Sequence, residues 1–163
     1  MKPLTRILVI INLIIVLAYT VYYVQAKETI LAEGELLLFE LAPVDPRSLI
    51  QGDYMVLNYA VSRNFDRDSV PKIGYMVVTK NAEGVAERER LQAKKTPLNA
   101  GEFLVNYTVP SWQMNIGAEA YFFEEGTAEM YEVAKYGGVK IDNDGNSLLV
   151  GLYDEDRLLL GEE

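Results

Sequence analysis

Asp45, Arg47 and Asp53 stand within LAPVDPRSLIQGDYMVLNY, residues 41–59. Pro43 and Pro46 each fix their own φ and restrict the residue before them, which pre-positions the charged side chains between and beside them. Asp45 and Arg47 can form a bidentate pair, or Arg47 can stay free to hold an anion. Gly52 permits backbone angles that other residues resist, and Asp53 can bond its neighbouring backbone as Asx turns do. Two readings follow. The set is either a rigid lock between two strands or a ligand or partner site, because function concentrates on loops.

A second carboxylate set lies in Phe122-Phe123-Glu124-Glu125-Gly126. Just ahead of a helix N-terminus, these charges complement the helix dipole. If Glu125 lay beside Asp53, the pair would suit proton transfer. A catalytic alternative, hydrolase-like, therefore rests on Asp45, Asp53 and Glu125. Other chemistries fare worse. The chain has no histidine and no cysteine, which removes the commonest general base, the commonest metal ligand and thiol catalysis. No metal and no cofactor is expected. Asp142-Asn143-Asp144-Gly145-Asn146 opens like a calcium loop, but Gly151, Leu152 and Tyr153 stand where its glutamate is required, so it reads as a hairpin turn. Ser48 has no lysine at a convincing place to serve as its base.

These residues need elements to hold them. Ile7–Val24 is an uncharged apolar run of eighteen residues, about 27 Å as a helix, close to the thickness of the hydrocarbon layer. Tyr19, Tyr22 and Tyr23 gather at its far end, where amphipathic rings favour the interface. Lys2 and Arg6 precede it, which predicts a cytoplasmic N-terminus. The run exceeds the usual signal-peptide core of about 7 to 15 residues, so an uncleaved anchor is expected in preference to a cut after Ala26. Residues 1–26 form the tip and anchor, 27–34 a connector, and 35–163 one extracytoplasmic domain, periplasmic or extracellular. Asn12 sits inside the span, either bonded to a partner helix or satisfied alone.

The rest of the chain reads as mainly β. Glu35–Leu41 is apolar on both faces, as a buried strand is. Tyr54–Val61 is its expected paired strand, with Tyr54, Val56, Asn58 and Ala60 on one face and Met55, Leu57, Tyr59 and Val61 on the other. Gly74–Thr79 and Val85–Leu91 flank an Asn81–Gly84 loop, and the alternating charges of Glu87–Arg90 suggest a solvated edge. Glu102–Val109 alternates clearly, and Asn115–Phe123 is another strand. Thr127–Lys135 is the one short late α-helix, capped by Thr127 and stopped by Gly137-Gly138. Val139–Ile141 and Ser147–Tyr153 close over an Asp-Gly turn. The expected architecture is one single-span N-terminal transmembrane helix followed by one antiparallel β-rich domain. Most of the eleven tyrosines then serve packing within and across strands.

Removing Lys2 and Arg6 from the 15 basic residues leaves 13 against 24 acidic ones. A domain so acidic repels nucleic acid and anionic headgroups.

Gly52-Asp53-Tyr54-Met55-Val56-Leu57-Asn58-Tyr59 resembles, position for position, the pattern that names the GDYXXLXY family of bacterial membrane-anchored proteins. The lead-in Pro43-Val44-Asp45-Pro46-Arg47-Ser48-Leu49 is similar too. So is a second block of Phe122, Phe123, Glu124, Glu125, Gly126, Tyr131, Glu132, Ala134, Tyr136 and Gly137, and the ending Leu148–Leu152. The family has no established activity, and the resemblance implies companionship with multi-span membrane proteins. The expectation is a membrane-anchored accessory or binding domain, held in the bilayer by residues 7–24 and meeting a multi-span membrane protein through the Pro43–Tyr59 stretch. Catalysis is not expected. The carboxylate enzyme and a small-ligand sensor remain as alternatives. The residues that mark the site are Pro43, Asp45, Pro46, Arg47, Gly52, Asp53, Tyr54, Leu57, Tyr59, Glu125, Gly126, Tyr131 and Tyr136.

Overall fold

The computed structural model describes residues 3–42 and 54–161. Helix α1, Pro3–Glu33, takes in the whole apolar run and continues seven residues past Ala26 without a break. From Leu4 to Val24 its side chains are exposed on every side, and it is long and apolar enough to cross a bilayer. Its last turns are different. Ile30 is buried against the domain, Lys27 Nζ donates to the Ser147 carbonyl at 3.1 Å, and Lys140 Nζ donates to the Leu31 carbonyl. Residues 27–33 thus belong to the helix and to the domain's surface at once.

Among the described residues eight strands follow: β1 Glu35–Glu40, β2 Tyr54–Val56, β3 Ile73–Lys80, β4 Ala86–Gln92, β5 Glu102–Thr108, β6 Ala120–Phe122, β7 Tyr136–Ile141 and β8 Ser147–Tyr153. They form three antiparallel sheets in the orders β1-β7-β8, β2-β6 and β4-β3-β5. The Leu38 N–H donates to the Gly84 carbonyl at 3.0 Å, so the free side of β1 meets the β3–β4 turn. The core lies between the sheets. Leu37, Phe39, Met76, Val78, Val105, Tyr107, Val139, Ile141 and Leu152 meet there with Met55, Leu57 and Tyr59. The alternation of β5 places Val105 and Tyr107 inward, and Leu104 is buried on the opposite face of the same strand.

The β-rich class, the antiparallel pairing, the N-terminal apolar helix and the presence of a short late helix agree with the sequence. Three local expectations do not. Tyr54–Val61 is not one strand paired along β1. β2 stops at Val56, a 3-10 turn occupies Ala60–Ser62, and β2 pairs with β6. Its backbone pairing beside β1 is confined to the Leu41–Tyr59 bridge and the bond from the Ala42 N–H to the Asn58 carbonyl. Asn115–Phe123 splits into a bridge at Asn115 and the short β6. The late helix α2 is a single turn, Ala128–Tyr131. Thr127 does not cap it, because its hydroxyl donates backwards to the Glu124 carbonyl at 2.7 Å. Met130 and Val133 are exposed, so a longer helix would bury too little apolar surface to hold itself together. Gly137 and Gly138 do not stop a helix; they lie inside β7, hydrogen-bonded to both β1 and β8.

Candidate functional site

Pro43, Asp45, Pro46, Arg47, Ser48, Gly52 and Asp53 lie outside the described residues. The site is therefore built from the strand that follows them. β2 and the three residues after it alternate strictly. Met55, Leu57 and Tyr59 are buried, while Tyr54 and Val56 are exposed and Asn58 is half-buried. Burial of Leu57 and Tyr59 gives these two motif positions a structural role. Tyr59 stacks edge-on against Phe39, ring centroids 5.7 Å apart, and its hydroxyl donates to the Ala118 carbonyl. Burial, with the nearby Glu119 charge, pushes this hydroxyl's pKa well above the ordinary tyrosine value, so it remains a donor at any physiological pH.

The two sequence blocks meet directly. β2 and β6 pair Tyr54 with Phe122, Met55 with Tyr121 and Val56 with Ala120. On the inner side Tyr121 meets Tyr131 at 5.1 Å, and Tyr131 meets Phe123 at 5.6 Å. Burial and a hydrogen bond with Tyr131 push the Tyr121 hydroxyl up to about 12. On the outer side Tyr54 and Phe122 lie 5.7 Å apart, and Tyr54, Val56, Ala120 and Phe122 are all exposed. The ribbon is thus apolar on both faces, although only one of them packs into the domain. Trp112, 78% exposed, follows closely. Its neighbour Gln113 donates to the Asn58 side chain at the end of the same outer row.

Of the three carboxylates in the catalytic alternative, Asp45 and Asp53 lie outside the described residues and Glu125 lies within them. Glu125 is exposed beside Gly126, whose φ of +85° makes the turn into α2. Tyr136 sits at the end of β7 between Glu40 and Tyr153. A half-buried carboxylate near the motif is Glu119, which the sequence reading missed. It accepts from the backbone N–H groups of Ile116 and Gly117, and burial pushes its pKa up against those bonds. Its role is to hold the 116–119 turn under Tyr59. Arg88 and Arg90 were also missed within the alternating-charge run. Arg88 donates to the carbonyls of Val61, Arg63 and Asn64, and so holds the segment after the motif. Arg90 makes a two-pronged bond to Glu102 at 2.6 and 2.7 Å. No periodicity distinguishes such arginines from solvated ones.

Among the described residues there is no cluster of three or more histidine, cysteine, aspartate or glutamate side chains placed to hold a metal. The Asp142 carboxylate is engaged within its own turn, accepting from the backbone of Asp144 and Asn146. Neither the curated proteins nor the solved structures gave a match to this chain. The model of one protein family does match, over residues 16–152, from near the middle of α1 to the buried Leu152. With the motif strand and the second block now seen to form one ribbon, the chain belongs to the family described as GDYXXLXY protein.

Proposed function

We propose that the chain is a single-pass membrane protein whose β domain lies on the extracytoplasmic side of a bacterial cell membrane. There it acts as a binding module for a multi-span membrane protein. The observation that carries this reading is the outer face of the β2–β6 ribbon. Tyr54, Val56, Ala120 and Phe122 are exposed and apolar on a two-stranded element that is already apolar within. A contiguous apolar patch rimmed by polar residues is how interaction sites present themselves on small domains. The ribbon also follows directly on Pro43–Asp53, the stretch whose charge and proline content favour a contact role.

Lys2 and Arg6 ahead of the span support the orientation. Retention of the anchor is supported by the helix running unbroken through Ala26 and Lys27, where a signal peptidase would need extended backbone. The companionship implied by the family resemblance supports the class of partner.

The test is a photo-crosslinking residue at Phe122 in native membranes, with Glu155 as a control site. The expected result is one recurrent integral membrane protein captured from position 122 and not from 155, and lost with Tyr54→Glu. Equal capture from both sites, or none from 122, ends the proposal. Asp53→Ala separates the two readings of the motif stretch. A loss of about 1 to 3 kcal/mol of stability marks a lock, while unchanged melting with lost capture marks a contact.

A further inference from the structure

The last turns of α1 meet the β1-β7-β8 sheet strand by strand. A Cβ built on Gly34 would stand 3.2 Å from Lys140 Cβ and 3.3 Å from the Ile141 nitrogen. Lys140 Nζ reaches the Leu31 carbonyl, and Lys27 Nζ reaches the Ser147 carbonyl at 3.1 Å. Glu35, Ile141 and Ser147 are register partners in β1, β7 and β8. Two strand spacings make about 9.6 Å, and the helix rises about 10.5 Å from Lys27 to Gly34. The strand order therefore runs along the axis of α1, with β8 nearest the span. Lys27 follows Val24, the end of the apolar run, by about 4.5 Å of helix, and helical side chains lean towards the N-terminus. Ser147 thus lies at the level of the headgroup layer, which extends about 5 to 7 Å beyond the hydrocarbon on each side.

Other segments are tied to the domain at this end. The Ser147 hydroxyl donates to the Ile116 carbonyl, and the Asn106 N–H donates to the Gly145 carbonyl at 2.8 Å. Asn115 and Thr108 exchange two backbone bonds of 2.8 Å, and Ile73 is the register partner of Thr108. The loop 109–114 that leaves this bridge carries Trp112, and its Val109 N–H donates to the Lys72 carbonyl. Trp112 is 78% exposed and Ile73 75%. They are the two most exposed large hydrophobic residues among the described ones, those of α1 included. Both flank one bridge, at the end of the domain that α1 holds against the span.

We propose that Trp112 and Ile73 form a second membrane contact, seated in the interfacial layer of the bilayer that α1 crosses. An indole has an apolar body and one N–H donor, which suits the boundary between headgroups and hydrocarbon. Ile73 adds apolar area beside it. The domain's acidic balance disfavours anionic headgroups, so the contact is made by apolar side chains and does not need negative lipid. The contact would fix the tilt of the domain on its stalk. It would also set the height of the β2–β6 ribbon, whose outer row ends at Asn58, bonded to the Gln113 side chain. The inference rests on α1 spanning the membrane, as the proposed function does, but not on the ribbon having a protein partner.

Trp112 is the chain's one tryptophan, so its fluorescence reads the contact directly. The full chain is reconstituted into phosphatidylcholine vesicles whose acyl chains carry bromine either near the headgroup or near the chain end, and the vesicles are floated to recover inserted protein. The expected result is quenching of Trp112 in the floated fraction, stronger with the shallow bromine than with the deep one. The control is Ala82→Trp in a Trp112→Phe chain. Ala82 is exposed in the β3–β4 turn, beyond β1 and furthest from the span, and a tryptophan there should not be quenched. Ile73→Glu, at an exposed position, should lower the quenching of Trp112 with melting unchanged. A chain that floats with Trp112 no more quenched than the control would overturn this contact alone and leave Trp112 to the protein partner. Unchanged quenching in Ile73→Glu would overturn the paired contact. A chain that does not float would overturn it together with the membrane span.

Discussion

The Tyr59 ring lies directly over Gly137. A Cβ built on Gly137 would stand 2.9 Å from Tyr59 Cε1 and 3.1 Å from its hydroxyl oxygen. The last residue of the family motif thus packs against a glycine from the second block, across the core. Tyr59 is 1% exposed and pinned by Phe39 and the Ala118 carbonyl, so it has nowhere to move. Gly137→Ala should cost about 1 to 3 kcal/mol by overpacking. At Gly138 an added Cβ would stand 2.3 Å from Tyr153 Cε2, so Gly138→Ala should be destabilised as well. Chemical denaturation in detergent should show both variants less stable than the parent chain. An unchanged Gly137→Ala would mean that Tyr59 is free to shift.

Removing only the Tyr59 hydroxyl isolates the polar half of the same contact. Tyr59→Phe keeps the ring over Gly137 and leaves the buried Ala118 carbonyl without its donor. The expected loss is about 1 to 2 kcal/mol. Combined with Gly137→Ala, the effects should fall short of additive, because both act through one ring. Strict additivity would show that the hydroxyl and the glycine contact are independent.

Acid stability should carry the signature of Glu102. The Arg90 bond, the Asn99 N–H and the Asn99 side chain together hold its carboxyl at about 2, down from 4.5. A depressed folded value contributes stability above the unfolded value, and that contribution is lost as pH falls from about 4.5 towards 2. Glu119 has the opposite sign, because burial raises it; its contribution is full below the unfolded value and fades as pH rises through the folded one. Melting curves of the parent chain and Glu102→Gln should therefore differ most at neutral pH and converge as pH approaches about 2. A gap independent of pH would remove Glu102 as the cause.

These tests probe contacts that the sequence showed unevenly. Short-range signals were readable. The alternation of Glu102–Thr108, the Asn81–Gly84 loop, the Asp-Gly turn and the two faces of Tyr54–Tyr59 all depend on neighbouring residues, and all appear in the fold. Long-range choices were not. Tyr54–Val56 pairs with Ala120–Phe122 rather than with β1, and nothing in either strand names the other. The Thr127–Lys135 stretch has helix-forming residues, yet the Lys135 N–H donates to the Tyr153 carbonyl and the Lys135 carbonyl accepts from Leu41, so tertiary bonds claim its end for the sheet. Gly137-Gly138 resembled a helix stop because glycine is common there, whereas the need is room for two tyrosine rings. Arg88 and Arg90 looked solvated because alternation in sign says nothing about which carbonyls or carboxylates lie within reach. The shallow cleft beside Tyr75 is lined by β3, β5, Lys95 and the β7–β8 turn, and no stretch of the chain contains it.

The topology has a direct test, because the chain has no cysteine and any introduced thiol is the only one. Ser111 is exposed in the loop after β5, and Thr5 is exposed near the start of α1. With the N-terminus cytoplasmic, a membrane-impermeant maleimide added to intact cells should label Ser111→Cys and leave Thr5→Cys untouched until the cells are lysed. The label should also stay with the membrane fraction through a high-salt wash, since eighteen or more apolar residues in a helix insert essentially irreversibly whereas charge-held proteins are released by salt. Labelling of Thr5→Cys alone in intact cells would invert the orientation. Labelled chain shortened by the mass of residues 1–26 and released to the supernatant would show that the span is removed. The first result would take the apolar β2–β6 face out of the extracytoplasmic setting in which its partner is sought, and the second would take away its tether to the membrane that holds that partner.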